Sequence, residues 1–470
     1  MSMSYEDFLA NKSFQPLSYG FEVPEEWLNG NAKGHQKLGI EWALKRGRAA
    51  LFFDTGLGKS LCLLNFAYAV TKKTGMPVIV LAPLAVGASL IKESEKFGFD
   101  HSDVSFKIAK TQDDVEEDSE GVYITNYEKL EHFNPDSFSG VVLDESSILK
   151  GMFGRVREYI TQQFKDTPYK LSLSATPSPN DYTELGTQSE FLGVMTQMEM
   201  LSMFFINDTA NTGDWRLKHH AEDKFWEWMA TWCIVLRKPS DLGFDDTGYD
   251  LPPVKYEEII VPSKGLDGLF VEQAQTLSER LKARKESLEE RVKATINWVE
   301  SQPEDESTLI WCDFNNESDM LKKGISGAVE VKGADKPEYK EEKLLGFADG
   351  DVRRLVTKSS IAGMGLNYQV CNRMIFCGVS DSFERLYQAI RRCQRFGQNR
   401  EVTVVLVSSE AEGAVMENIK RKQKQHDEMS ERMVKHMRTL TLKQISSAKA
   451  TKTDYNPSVE MKTPEWLKSE

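Results

Sequence analysis

The sequence lacks the features that mark secreted, membrane-spanning and nucleic-acid-coating proteins. No apolar run is long enough to span a bilayer, and the first residues have neither the basic start nor the apolar run of a secretory leader, so we expect none. The six cysteines are scattered and none forms a C-x-x-C pair, so we predict buried thiols rather than disulfides or a zinc site. The net charge of −13 excludes coating of nucleic acid by bulk charge. We expect a cytoplasmic protein of a bacterium or a phage-infected cell, without membrane contact.

The length of 470 residues is too great for one ordinary core, so we expect two or three domains. The composition, 40% hydrophobic and 28% charged, is that of a globular protein. Strand patterns alternate with helix patterns along the chain, which predicts α/β architecture with parallel sheets.

A glycine-rich turn stands between an apolar run, Ala49 to Phe53, and a helix pattern that begins at Lys59. Backbone N–H groups of such a turn, with the helix N-terminus, form a cradle for phosphate. We predict that Lys59 binds the outer phosphates and that the Ser60 hydroxyl holds Mg²⁺. Phe53 stands where the full P-loop signature has its first glycine, and a plain strand–turn–helix is the alternative. The predicted cofactor-binding residues of this loop are Thr55, Gly56, Leu57, Gly58, Lys59 and Ser60.

Gln36 precedes this loop, and its carboxamide is able to donate to and accept from an adenine edge. We predict adenine binding by Gln36, with an ordinary surface residue as the alternative.

Two adjacent carboxylates, Asp144 and Glu145, follow the apolar run Gly140 to Leu143. Parallel sheets bind ligands at the carboxyl ends of their strands. We predict that Asp144 holds the Mg²⁺ of a bound nucleotide and that Glu145 orients and deprotonates the attacking water.

The ordered set G-x-G-K-S, D-E-S-S and L-S-A-T-P, at Gly56, Asp144 and Leu173, resembles motifs I, II and III of the superfamily 2 helicases and translocases. The stretches from Ser360 to Asn367 and from Gln388 to Gln398 resemble motifs V and VI. The ending R-x-G-Q and the G-x-G-L-N resemble the Swi/Snf-type DNA translocases. Two stretches depart from that branch, namely Ser147 in motif II and Asp381-Ser382-Phe383 before motif VI.

The resemblance implies two tandem RecA-like lobes with ATP between them. Arg392 and Arg395 lie three residues apart, on one helical face, and would reach across the cleft as arginine fingers. Gly365 would contribute to the cofactor site from motif V. Loops after strands would contact nucleic acid through Pro83, Thr125, Asn126 and Asn367. A solvated basic helix face is the alternative reading of the two arginines.

The predicted domains are lobe one at 1–240, with a helical region at about 181–240, a linker at 241–256, lobe two at 257–410 and a basic helical tail at 411–470. The stretch Lys420 to Lys452 holds ten Lys and Arg against three Asp and Glu. That tail either adds salt-sensitive affinity for nucleic acid or is a solvated helix.

The sequence predicts an ATP-dependent translocase or helicase that uses ATP and Mg²⁺ and moves on double-stranded DNA. The alternatives are an RNA-directed ATPase and a binding scaffold with a degenerate ATP site. We expect a monomer and leave open a protein loading partner.

Overall fold

The structure is a computed structural model of the whole chain. It describes residues 19–83, 86–115, 120–151, 154–178, 182–207, 215–263, 277–362, 366–379, 383–412 and 415–450.

A seven-stranded parallel sheet forms the centre of the first lobe, in the order β3-β4-β2-β5-β6-β1-β9. Its strands are β1 (Arg48–Phe53), β2 (Val78–Ala82), β3 (Ser105–Ile108), β4 (Gly121–Asn126), β5 (Gly140–Leu143), β6 (Tyr169–Leu173) and β9 (Cys233–Leu236). A separate antiparallel pair consists of β7 (Phe205–Asn207) and β8 (Trp215–Leu217). The helices of this lobe are α1 (Gly34–Arg46), α2 (Lys59–Thr74), α3 (Gly87–Lys96), α4 (Ile148–Gly151), α5 (Gly154–Gln163), α6 (Leu185–Leu192), α7 (Gln197–Phe204) and α8 (Glu222–Trp232).

Strand β1 lies inside this sheet, between β6 and β9, and all its residues are buried. Leu51 and Phe53 pack in the core on one face, and Ala50 and Phe52 pack in the core on the other. Successive side chains of a strand point to opposite faces, so a strand covered on both faces needs a continuous apolar run. This is the physical reason for the apolar sequence before the glycine-rich turn.

The second lobe is built on a six-stranded parallel sheet in the order β10-β15-β14-β11-β13-β12. Its strands are β10 (Val254–Val261), β11 (Thr308–Trp311), β12 (Ala328–Val331), β13 (Arg354–Thr357), β14 (Arg373–Phe376) and β15 (Val402–Ser409). Its helices are α9 (Leu277–Glu286), α10 (Leu288–Glu300), α11 (Asn315–Gly324), α12 (Pro337–Asp349), α13 (Ser359–Ala362) and α14 (Phe383–Ile390). Two parallel-sheet lobes in tandem confirm the predicted RecA-like α/β fold, whereas the exact domain boundaries stay a prediction.

The apolar pattern from Leu266 to Val292 is typical of one long helix, and that prediction is wrong for the described part, which forms α9 and α10, meeting at Ser287. The region at 181–240 holds α6, α7 and α8, and it also contains strand β9, which pairs in parallel with β1. Strand β9 is only four residues long, so its pattern does not separate it from the end of α8.

The Met, Phe and Trp stripe of residues 198–232 is typical of a core, and most of its members are buried, whereas Met198 and Met203 are exposed. Trp226, Trp228 and Trp232 are each at most 1% exposed and pack in one cluster with Phe225. All six cysteines are buried and free. Among the residues that the structure describes, no helix combines the length and the apolar character needed to cross a bilayer.

The chain ends, within the described part, in a long helix, α15 (Val415–Ala450), which confirms the predicted helical tail. It starts from the second lobe beside α14 and runs onto α8 and β9 of the first lobe. Met433 and Met437 are buried in the aromatic core there, and His436 stacks on Trp226 with ring centroids 5.2 Å apart. The tail therefore braces the two lobes.

Candidate active site between the lobes

The turn after β1 forms a tight loop that ends where α2 begins at Lys59. Gly56 and Gly58 have φ of 87° and 81°, a backbone conformation that favours glycine. The Lys59 ammonium folds back and donates to the carbonyl oxygens of Phe53, at 2.8 Å, and Asp54, at 3.3 Å. Burial lowers the pKa of Lys59, against the raising effect of Glu145, Asp54 and Asp144. The lysine is thus surrounded by acids at the start of a helix.

The side chain of Gln36 packs against Gly58 of this loop. A Cβ atom at Gly58 would lie 2.1 Å from Gln36 Nε2, which, with the positive φ, favours glycine at this position. Gln36 is 6% exposed, donates to the Leu57 carbonyl at 3.0 Å and accepts from the Lys33 N–H at 2.8 Å. Its second N–H and second lone pair leave adenine recognition possible in chemical terms, and that role stays a prediction. The loop and helix N-terminus fit a phosphate chain.

Asp144 and Glu145 follow β5 and lie at the same edge of the sheet as the loop. Burial, and then the charge of Glu145, raise the pKa of Asp144 to about 7, while Lys59 and Arg392 lower it. Glu145 has a φ of 56°, which is uncommon for a residue with a side chain. Such strain persists where surrounding contacts impose it.

Three donors hold the Glu145 carboxylate. Its Oε1 accepts from the hydroxyls of Ser147, at 3.0 Å, and Ser174, at 3.2 Å, and from the Gln388 amide at 3.3 Å. Ser147 departs from the family pattern, yet it binds the same oxygen as Ser174 of motif III. Motifs II and III therefore meet on Glu145.

The oxygen donors near Lys59 fit magnesium. Ser60 offers a hydroxyl and Asp144 a carboxylate, the hard ligands that Mg²⁺ prefers. A further acid lies nearby: burial raises the pKa of Glu93 of α3, while the Ser60 side chain and Arg395 lower it. Sequence reasoning missed Glu93, because α3 has no local signal that connects it with the loop.

Arg392 and Arg395 follow the end of α14 at Ile390, so the expectation that they share one helical face was wrong, but both face this acidic site from the second lobe. Burial lowers the pKa of Arg392, while Glu145 and Asp144 raise it. Burial and the neighbouring Arg392 lower the pKa of Arg395 to about 10, against the raising effect of Glu93. Both guanidiniums remain charged at neutral pH. The structure thus brings together Lys59, both motif II acids and both arginines.

A second set of contacts joins the lobes beside the site. The Asp54 carboxylate accepts from the Tyr387 hydroxyl at 3.0 Å and forms an ion pair with Arg391 at 3.5 Å. It also binds the backbone N–H and the hydroxyl of Thr55. Asp54, Tyr387 and Arg391 were missed from the sequence, although Asp54 lies inside the glycine-rich stretch.

The predicted nucleic-acid contacts lie at one edge of the first sheet and in the second lobe. Ala82, which precedes Pro83, pairs with Asn126 in the register of β2 and β4. Pro83 and Thr125 are buried in this structure, and Asn126 caps a short helix by accepting from the Lys129 N–H. Asn367 is half-buried, and Gly365 lies outside the described residues. Their roles stay predictions.

Two family models match this chain. The family model for the DEAD/DEAH box helicase matches residues 33–185, and the model for the helicase conserved C-terminal domain matches residues 289–397. Together they cover more than half of the chain, one on each lobe. This chain belongs to the superfamily 2 helicases and translocases. The superfamily consists of nucleic-acid-dependent ATPases.

The proteins similar to this superfamily member include two of the SWI/SNF type. The SWI/SNF chromatin-remodeling complex subunit snf22 of Schizosaccharomyces pombe is 24% identical over 209 residues, which are 41% of this chain and 12% of the relative. This chain thus spans about an eighth of the length of that curated relative. The Sulfolobus solfataricus SWI2/SNF2 ATPase core in complex with dsDNA is 18% identical, with a TM-score of 0.42 over 83% of this chain and 90% of the other.

Proposed function

We propose that this protein hydrolyses ATP to ADP and phosphate and uses the reaction to move along nucleic acid, with double-stranded DNA as the track. The observation that carries the proposal is the meeting of acids from the first lobe with arginines from the second, next to the glycine-rich loop at the start of α2. Burial and opposite charges act on Lys59, Asp144 and Arg392 together. Perturbed titratable groups that converge in this way are typical of active sites.

In this proposal Lys59 and the N–H groups at the start of α2 bind the phosphates of ATP. Ser60 and Asp144 hold Mg²⁺, which neutralises phosphate charge when bound. Glu145, held by Ser147 and Ser174, orients the attacking water and accepts its proton. Arg392 and Arg395 bind phosphate oxygens as negative charge moves during transfer, a contribution of about 10³–10⁵ in rate for an arginine finger.

Motion follows from the division of this site between two lobes. Hydrolysis needs the arginines in place, so it needs the lobes closed, and product release permits them to open. Ser174 contacts Glu145, and Thr176, two residues further, contacts Glu384 of the second lobe at 3.3 Å. This short path connects the Glu145 carboxylate with the second lobe, so movement of the lobes reaches it directly.

Double-stranded DNA is proposed on the motif resemblance and on the likeness to a subunit of a chromatin-remodeling complex. The decisive experiment measures phosphate release with duplex DNA, single-stranded DNA and RNA. Stimulation by duplex DNA, together with ATP-dependent displacement of a triplex strand, supports the proposal. Greater stimulation by RNA would favour the RNA-directed alternative, and the absence of any phosphate release would favour the scaffold.

Substitution Lys59→Ala tests the site assignment. We expect it to abolish turnover, because the ammonium that binds the outer phosphates is lost, while the thermal unfolding curve shows a folded protein. The matched control is Lys323→Ala, since Lys323 is exposed on α11 of the second lobe. Unchanged turnover in Lys59→Ala would refute the assignment.

A further inference from the structure

A cavity of about 780 Å³ lies beside the glycine-rich loop, where the two lobes and α15 come together. Thr55, Gly56 and Leu57 line it from the first lobe, and Phe396 lines it from the second. Gln36 donates to the Leu57 carbonyl and so adjoins the same wall. Pockets for small ligands are typically about 300–1,000 Å³ in volume. The cavity therefore has room for the part of a nucleotide that extends beyond its phosphates.

Phe396, which directly follows Arg395, packs against the first lobe. A Cβ atom at Gly56 would lie 3.3 Å from the Phe396 backbone nitrogen, so the loop and the second lobe approach each other closely here. The ring centroids of Phe396 and Tyr249 are 5.2 Å apart, and the Lys33 ammonium lies 4.5 Å from the Phe396 centroid. Tyr249 packs in turn against the core of the first lobe. These contacts hold the Phe396 ring at the boundary between the lobes.

The Phe396 side chain also offers a free surface to the cavity. Although Tyr249 and Lys33 contact its ring, Phe396 is 40% exposed. The charged residues of the cavity wall are five cations and three carboxylates, which favours an anionic ligand. Aromatic side chains bind nucleobases by stacking, since every base has a π-face. An aromatic ring in a cationic cavity beside the phosphate loop therefore fits a nucleotide.

We propose that the base of ATP stacks on Phe396 in this cavity, so that the base, as well as the phosphates, holds the second lobe closed against the first. This inference rests on the proposed function, because it places the phosphates of the same molecule at Lys59. A ligand that contacts both lobes binds the closed form better than the open one, and it shifts the population toward closure by that difference. Tripolyphosphate has the phosphate chain without the base, so it lacks the contact with Phe396.

The experiment compares the affinity of the full chain for an ATP analogue that is not hydrolysed with its affinity for tripolyphosphate, both in Mg²⁺ and by titration calorimetry. Stacking of a base on an aromatic side chain typically contributes about 5- to 150-fold in affinity. We expect Phe396→Ala to lower the ratio of the two affinities by about that factor. The ratio is decisive, because loss of a mere contact between the lobes weakens both ligands alike.

The matched control is Tyr339→Ala in α12. Tyr339 is an aromatic residue of the second lobe, 38% exposed, with the Lys343 ammonium 5.6 Å from its ring centroid, and it does not line the cavity. Phe396→Tyr keeps the ring and should keep the wild-type ratio. Phe396→Leu keeps apolar bulk without a π-face, so its ratio should fall as well, and it serves if Phe396→Ala does not fold.

Closure is measured by energy transfer between labels on the two lobes. In the wild type the analogue should give a larger closed fraction than tripolyphosphate does, each at a saturating concentration. In Phe396→Ala the two ligands should give the same closed fraction. Equal closed fractions with both ligands in the wild type would overturn the contribution of the base to closure.

An unchanged affinity ratio in Phe396→Ala would overturn stacking on this residue and leave the ATPase proposal standing. The same holds if the wild type binds both ligands equally well. Conversely, wild-type protein that binds the analogue but releases no phosphate from ATP would refute the proposed function. In that case the affinity ratio alone still decides the role of Phe396.

Discussion

Lys170 is a basic residue that lies buried inside the first lobe. It lies in β6, is 1% exposed, and donates to the carbonyl oxygens of Lys165, at 3.1 Å, and Phe191, at 3.0 Å. Burial, and then the charge of Arg48, lower its pKa to about 7. Burying an unpaired ammonium raises the free energy of the folded state. Deprotonation of Lys170 lowers that free energy in part.

The pH dependence of stability follows from this shift. Between about pH 7 and 10.5 the unfolded chain binds more protons at Lys170 than the folded chain does, so the free energy of unfolding rises with pH there. The slope from one group is at most ~1.4 kcal/mol per pH unit. We measure the free energy of unfolding in urea at pH 7 and at pH 9. We expect it to rise less between these values for Lys170→Met than for the wild type. Lys323→Ala is the control, and equal gains in wild type and Lys170→Met would contradict the argument.

Among the elements, α15 is the one whose packing in the structure differs most from the role that its sequence suggested. Its basic composition suggested a contact to nucleic acid, but its apolar side chains bury against α8 and β9. Met429 also contacts the first lobe, through the Ser178 hydroxyl at 3.9 Å from its sulfur and the Tyr182 hydroxyl at 3.4 Å from its carbonyl oxygen. The exposed positive charges remain compatible with a contribution to nucleic-acid affinity.

Substitution Met437→Ala tests the bracing role of α15. Met437 is 1% exposed, so its truncation leaves a cavity in the aromatic core. We expect the free energy of unfolding to fall by about 2–5 kcal/mol. Thr439→Ala on the exposed side of the same helix should change little. Denaturant unfolding followed by tryptophan fluorescence measures both, because Trp226 lies beneath the helix. Equal stabilities of the two variants would contradict a packed helix.

At the scale of the whole molecule, the lobes meet through polar contacts rather than through one continuous core. Asp54 binds Tyr387 and Arg391, Glu145 binds Gln388, and Lys92 forms an ion pair with Glu341 at 3.2 Å. The apolar clusters of the two lobes are separate, apart from the methionines of α15. Such an interface separates at modest cost, which suits a cycle of opening and closing.

Removal of the Arg391 guanidinium should shift the balance between closed and open lobes. Arg391→Ala leaves the Asp54 carboxylate half-buried without its cation, a cost of about 1–3 kcal/mol to the closed form. We expect a larger open fraction in single-molecule energy transfer between labels on the two lobes. Arg400→Ala is the control, because Arg400 is exposed and binds the Val370 carbonyl within its own lobe. The same open fraction in both variants would rule out an Asp54–Arg391 latch.

The sequence by itself determined the elements whose cause is local. Apolar runs predicted the buried strands of both sheets, and glycines before Lys59 predicted the loop, because backbone conformation and burial on two faces depend on neighbouring residues. The motif order indicated which side chains belong to the phosphate site.

Only the tertiary structure decided which partners those side chains have. Asp54 meets Arg391, and Glu145 meets Gln388, although each pair is far apart along the chain and no sequence periodicity connects them. The same holds for α15, whose amphipathic pattern does not say which lobe covers its apolar face. These contacts depend on how the two sheets and their helices pack together. That packing brings the residues of the second lobe to the site.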